Sequence, residues 1–340
     1  IDMLYEMGRT LRGHLNAEVL RQPQGHLDQA PSSKASHERP AKVASFPPMS
    51  KKRCVGSAKA LRPLLRKTLA KTLQIPSSRR VKEIAKIAEQ AVQIHSPRDV
   101  VVDPFQVADA LELPVLPGEY QGAFDGLLEW RNGRFYMYYD TRLGGPDQPR
   151  VRFTIAHEIG HWYLDEHREC FEAGVDPHKS FTGFTSRNPV EREADTFASY
   201  LLVPPHRLRE FAFRREPDVK LILGIAERFN VSRTAAAVRY VQANYCGCAV
   251  IRMGRDGSRV WSWTSDTLAD WVYRTVRDDL PEGVEFARRF ERACAGSDPV
   301  EGRLVPAETW YRYAGEKLDL YEELIPIGRY GVLVFLSTTE

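Results

Sequence analysis

His157 and His161 stand four residues apart in the run Thr154-Ile155-Ala156-His157-Glu158-Ile159-Gly160-His161-Trp162. On an α-helix that spacing projects both imidazoles from one face, where two ring nitrogens can share one metal ion. Glu158 falls beside them, placed to take a proton from an activated water. Imidazole with carboxylate is a donor set that suits zinc, and an open position on zinc supports hydrolysis. Two protein ligands are too few for such a site, which takes three and keeps the fourth for water. The chain must therefore bring a third ligand to this helix. Phe153, Ile155, Ala156 and Ile159 give the helix an apolar side, and Gly160 lets another element approach closely.

Three residues compete for the third position. His167 follows His161 by six, and position 164, where a sharp turn after the second histidine would need Gly, is Leu. If the helix continues, His167 points to another face. The better candidates lie on a downstream helix in the stretch Glu191 to Pro204, capped by Asn188 with Pro189 at its first turn, with acidic residues at its positive end and Pro204 as its stop. There Glu191 and Asp195 are i and i+4 and share a face, whereas Glu193 is rotated away. Glu191 is expected as third ligand, with Glu193 its main competitor. Asp195 is expected as the carboxylate that orients the ring of His157.

The blocks Arg152-Phe153-Thr154-Ile155-Ala156-His157-Glu158-Ile159-Gly160-His161 and Glu191-Arg192-Glu193-Ala194-Asp195, with Phe197-Ala198 and Leu201-Leu202-Val203-Pro204, resemble the ImmA/IrrE-type metallopeptidases over roughly residues 98–245. The resemblance implies a gluzincin-like zinc endopeptidase of narrow specificity. Its typical substrate is a helix-turn-helix repressor, whose cleavage induces a stress, mobile-element or prophage response. Family members often carry an aliphatic run ending in His after the second zinc histidine, and this chain departs there with Trp162-Tyr163-Leu164-Asp165.

The 340 residues, 43% of them hydrophobic and with a net charge of +3, suit about two soluble domains with tails. No stretch approaches the roughly 18–20 apolar residues of a membrane span, and no signal peptide is evident, so a cytoplasmic protein without membrane contact is expected. Five scattered cysteines, Cys54, Cys170, Cys246, Cys248 and Cys294, argue against a disulfide framework. Residues 1–57 read as a disordered tail, rich in Pro, Gln and Ser and poor in apolar periodicity. Residues 58–97 read as a basic helical segment; weak nucleic-acid contact through the basic 51–90 region is the functional expectation there, against an ordinary solvated helix face.

Residues 98–204 should form the peptidase domain. Val100-Val101-Val102 reads as a strand, Asp103-Pro104 as a helix start, and Leu113 to Leu116 as a second strand. Asn132-Gly133 joins strands at 122–129 and 134–139 as a hairpin. One of these strands is expected to be an edge that pairs with an extended substrate. Tyr136, Tyr138 and Tyr139 are oxyanion candidates as well as packing residues. Asp165 to Asn188 reads as a long connection over the cleft. Residues 205–245 have a helix-turn-helix order, with Ser232 capping the second helix. Residues 246–340 read as a separate α+β unit, for sensing or docking, with a hairpin around Gly254-Arg255-Asp256-Gly257, helical or mixed stretches at 266–280 and 283–294, and a strand at Tyr330 to Leu336.

The fold expected is α+β, with a small zincin-like domain whose short twisted sheet packs on the metal helix, a helical segment and the C-terminal domain. The rival reading is a DNA-binding regulator with a structural zinc. Glu158 discriminates, because a closed four-ligand site has no use for an acid beside an open position.

Overall fold

A computed structural model of the chain describes residues 78–98, 101–174, 178–180, 188–272, 276, 281–311 and 317–338. They fall in one compact unit, Val55–Glu340. The expected tail, the basic stretch 51–77 and Cys54 lie outside the described residues.

Helix α1 (Ser78–His95) buries Ile84, Ala88, Ala91 and Val92, the face its periodicity predicts. Helix α2 (Pro104–Ala110) starts where expected, with Asp103 Oδ1 accepting from the amide of Phe105 at 3.0 Å. The strand expected before it does not form at Val101 and Val102, and Val100 is outside the described residues. Val102 is buried, yet its carbonyl accepts from Arg152 Nη2 at 2.7 Å instead of from a ladder partner.

The first sheet comprises β1 (Val115–Gly118), β2 (Gly126–Arg131), β3 (Arg134–Asp140) and β4 (His178–Ser180), in the order β1-β3-β2-β4. Asn132 and Gly133 both take positive φ, 54° and 79°, the conformation that a two-residue hairpin turn requires. β2, the hairpin strand nearest the metal helix, is not an edge, because β4 pairs with it antiparallel over residues 126–128. The free edges belong to β4 and β1.

Helix α3 (Pro149–Tyr163) packs on this sheet and carries both histidines. It does not continue. Leu164 is extended (φ −81°, ψ 105°) and buried, and α4 (Asp165–Glu172) restarts at a new angle, so the presumed long connection opens with a helix. Helix α5 (Pro189–Leu202) is capped by Asn188, whose side chain accepts from Val190 N. Gly160 of α3 permits the α3–α5 contact: a Cβ there would lie 3.2 Å from Ala194 O and 3.1 Å from Phe197.

Helices α6 (Pro205–Ala212), α7 (Val219–Phe229) and α8 (Arg233–Ala243) follow. Asn230 turns the chain in the left-handed conformation and Ser232 caps α8. The order is that of a helix-turn-helix, but α8 is buried continuously from Ala235 to Val241.

The second sheet is antiparallel, in the order β6-β5-β9-β8-β7, from β5 (Cys248–Met253), β6 (Arg259–Thr264), β7 (Val300–Pro306), β8 (Asp319–Pro326) and β9 (Val332–Thr338). Between them lie α9 (Asp266–Ala269), shorter than its sequence suggests, and α10 (Val284–Ala295). The apolar run Val332-Leu333-Val334-Phe335-Leu336 occupies the central strand and is buried on both faces. Leu333 and Phe335 join the core shared with α8, while Val332, Val334 and Leu336 join a second core under α10. The architecture is α+β, with two sheets and ten helices among the described residues. None of those helices is long and apolar enough to cross a membrane.

Candidate metal centre

Three donors meet between α3 and α5. His157 Nε2 and His161 Nε2 are 3.1 Å apart, Glu191 Oε1 is 3.1 Å from His161 Nε2, and Glu191 Oε2 is 3.4 Å from His157 Nε2. All three side chains are buried. Tetrahedral coordination with ligand bonds of about 2.0–2.1 Å sets donors about 3.3 Å apart, so the observed triangle has the right size for a zinc ion as well as the right chemistry. The helical repeat explains the selection: Glu191 faces α3, and Glu193, two residues on, does not reach the same point.

Each histidine is held from behind. His157 Nδ1 donates to Asp195 Oδ1 at 2.9 Å, one turn after Glu191, which leaves Nε2 as the lone-pair nitrogen. Burial works against a second proton on His157, but the hydrogen bonds to Asp195 and Glu191 outweigh it and hold its pKa well above the ordinary range, so a metal ion takes the place of a proton at Nε2. His161 is the opposite case. Burial, with His157 and His167 close by, pushes it down to about 3, a neutral ligand-ready ring.

Behind His161 runs a longer relay that spacing alone did not reveal. Its Nδ1 is 3.1 Å from His167 Nδ1, His167 Nε2 is 3.3 Å from Glu193 Oε2, and Glu193 Oε2 accepts from Arg80 Nη2 at 2.8 Å. If His161 Nε2 keeps its lone pair, Nδ1–H donates to His167, and His167 Nε2–H donates in turn to Glu193. Burial alone would raise the Glu193 carboxyl, but His167 and Arg80 hold it below the usual range. The two rejected ligand candidates, His167 and Glu193, therefore form one buried chain. The break at Leu164 is what brings His167 back to His161. Arg80 lies on α1, 113 residues from Glu193, and no sequence pattern connects them.

Glu158 is fully buried beside the donors. Strand β2 comes so close that a Cβ on Gly126 would sit 2.6 Å from Glu158 Oε1. The tyrosine candidates are engaged elsewhere: Tyr138 donates to Glu129 at 2.8 Å, Tyr139 packs in the core against Phe105, and Tyr136 lies under Arg131. His178 is on β4 opposite Leu128.

Two packed helices that present two histidines, one glutamate and an adjacent acid make a candidate metal centre of the HExxH type on an α+β scaffold. Residues 146–240 match the family model described as the IrrE N-terminal-like domain, in line with the resemblance read from the two helix blocks. It is similar to the radiation response metalloprotease IrrE of Deinococcus radiodurans, 29% identical over 111 residues, 32% of this chain and 33% of the relative. The match thus spans a third of that protein's length. A Mycobacterium tuberculosis transcriptional regulator shares the fold, with a TM-score of 0.50 and 12% identity over 82% of this chain and 81% of that one.

Proposed function

We propose that the protein is a zinc-dependent endopeptidase of narrow specificity, acting in the cytoplasm on a helix-turn-helix transcriptional repressor. The observation that carries the reading is the position of Glu158, buried between the donor triangle and the backbone of β2. His157, His161 and Glu191 would hold the ion, with Asp195 orienting His157. A bound divalent ion supplies Lewis-acid activation of water and of the scissile carbonyl. Glu158 accepts the proton of the attacking water and delivers it to the departing amine. Asp195 and the His167–Glu193–Arg80 relay fix the two imidazoles, so little reorganisation accompanies the step. The free thiols of Cys170, Cys246, Cys248 and Cys294 support a reducing compartment. The family resemblance supports a repressor as the substrate and stress or mobile-element control as the setting.

Zinc-loaded protein and its Glu158→Gln variant, incubated with the helix-turn-helix repressors encoded beside its gene and read by intact mass, test the proposal. The parent should cut at one bond. The variant should keep its zinc and lose about 10²–10⁴-fold in rate. Undiminished cleavage by the variant would remove Glu158 from the chemistry.

A further inference from the structure

A cavity of about 500 Å³ opens between the α1–α2 connection, α6 and the end of α7, and it shares no residue with the metal centre. Its volume is that of a small-molecule site. Four guanidinium groups line it, from Arg98, Arg207, Arg215 and Arg228, with Phe211 and Phe229 as aromatic walls. Glu210 is the one carboxylate among the lining residues, and the imidazole of His206 already faces Glu89 at 3.1 Å.

Like charges gathered in one cavity repel each other, and the arrangement becomes favourable when an anion neutralises them. Guanidinium forks match phosphate oxygens two at a time, and they stack on rings where an ammonium does not. Both properties are laid out here. Arg207 is fixed from behind by donating to the carbonyl of Ser96. Arg214 adopts the left-handed conformation at φ 65°, uncommon for a residue with a side chain, in the turn that follows α6. The next residue, Arg215, folds back over Phe211, 4.3 Å from the ring centroid, and Arg228 sits 5.9 Å from the same ring. The stacked Phe211–Arg215 pair is also the wall shared with a second cavity of about 230 Å³. A flat cationic surface beside further guanidinium groups suits a ligand with an aromatic ring at one end and phosphate at the other.

We propose that this cavity binds a nucleotide, with its phosphates held by Arg98, Arg207 and Arg228 and its base stacked on the Arg215–Phe211 pair. Titration calorimetry of the full chain with ADP, adenosine and inorganic pyrophosphate tests it. ADP should bind with one-to-one stoichiometry, pyrophosphate about tenfold more weakly for want of stacking, and adenosine not measurably. The double variant Arg215→Glu, Arg228→Glu should lose at least about thirtyfold in ADP affinity while its circular dichroism stays that of the parent. Arg98→Glu, on an exposed connection, serves the same purpose if the double variant does not fold. Phe211→Ala should weaken ADP and leave pyrophosphate within about threefold. Absence of saturable ADP binding at a few millimolar, or ADP binding indifferent to the charge reversals, overturns the site. Equal affinity for pyrophosphate and ADP overturns the base-stacking half. Tight binding of a 12-nucleotide single strand with no response to ADP overturns the small-molecule reading in favour of a nucleic-acid surface.

Discussion

The helical pair α3–α5 and the helical pair α7–α8 are both packed into the same core through apolar side chains, and they differ in the polar groups they bury. The first buries Arg152, His157, Glu158, His161, Glu191, Glu193 and Asp195. The second buries Leu221, Ile222, Ile225 and Phe229 against Ala235, Ala236, Ala237, Val238 and Val241, with Arg239 its one fully buried charge. Even that arginine serves packing: its guanidinium lies 3.8 Å from the centroid of the Tyr200 ring and donates to Val203 O at 3.1 Å, tying α8 to α5. Burying polar groups costs several kcal/mol each unless partners repay it, so a chain keeps a buried polar cluster where chemistry needs it. The comparison separates the pair that carries the candidate site, the working pair of the proposal, from a structural pair. It also argues against base reading by α8, whose would-be recognition face is covered by its own protein.

The comparison breaks most visibly at α8. Ala236→Arg places an unpaired charge at a fully buried position and should cost about 4 kcal/mol or more, read as a fall in the denaturant midpoint. A variant of unchanged stability would mean that α8 leaves the core readily, and the regulator reading would regain ground. Within the working pair, the next largest effects concern the two histidine supports. Asp195→Asn and Glu193→Gln should each weaken zinc binding roughly 10–100-fold in chelator competition, with Asp195 the more severe because it touches His157 directly. If Glu193→Gln lowers stability but not zinc affinity, the relay from His161 to Arg80 is scaffolding only.

Gly126→Ala asks whether closeness of the sheet matters to the acid. The added methyl meets Thr154 Cγ2 at 2.5 Å and Glu158 Oε1 at 2.6 Å, so the strand and the acid cannot both stay where they are. Turnover should drop about 10–100-fold with zinc content unchanged, and full activity would show that Glu158 has room to adjust. The smallest effect belongs to the structural pair. Glu323 of β8 accepts from the amide of Val219, at the start of α7, at 2.8 Å, and burial pushes its carboxyl up to about 7 from 4.5. A raised carboxyl favours the protonated form in the folded state. Its stabilising contribution is therefore full below about pH 4.5 and lost as pH rises through 7, with an upper bound of about 3 kcal/mol. Glu323→Gln should flatten the fall in melting temperature between pH 5 and pH 8; an unchanged slope would assign that fall to other groups.

The working pair was legible because its information is local. The i,i+4 spacing of His157 and His161, the Asn188 cap with Pro189, and the matching spacing of Glu191 and Asp195 all lie within single helices. The Asn132-Gly133 turn and the Ser232 cap were legible for the same reason. The break at Leu164 was not, since no Gly or Pro marks it and burial of Leu164 decides it. The links of His167 to His161 and of Glu193 to Arg80 are tertiary, and no periodicity encodes them. Strands β7 and β8 escaped notice because Val300–Pro306 has no clean alternation and Asp319–Pro326 carries Glu322 and Glu323 in buried positions. The run at 332–336 was recognised as a strand, but its place at the centre of the sheet follows from pairing, which composition does not specify.

The short strand β4 occupies the edge of β2 beside the candidate metal centre. His178–Ser180 pairs with the side of β2 that faces away from β3, with Ser180 in register with Gly126. An incoming chain that adds to β2 must replace a tethered competitor, whose effective concentration is of the order of millimolar. A three-residue ladder is weak enough to be exchanged, yet it sets a threshold that a random unfolded segment, offering only backbone hydrogen bonds, does not exceed. For the endopeptidase proposed above, selectivity would then arise from the exchange itself: the substrates that get in would be those that bring further contacts with them.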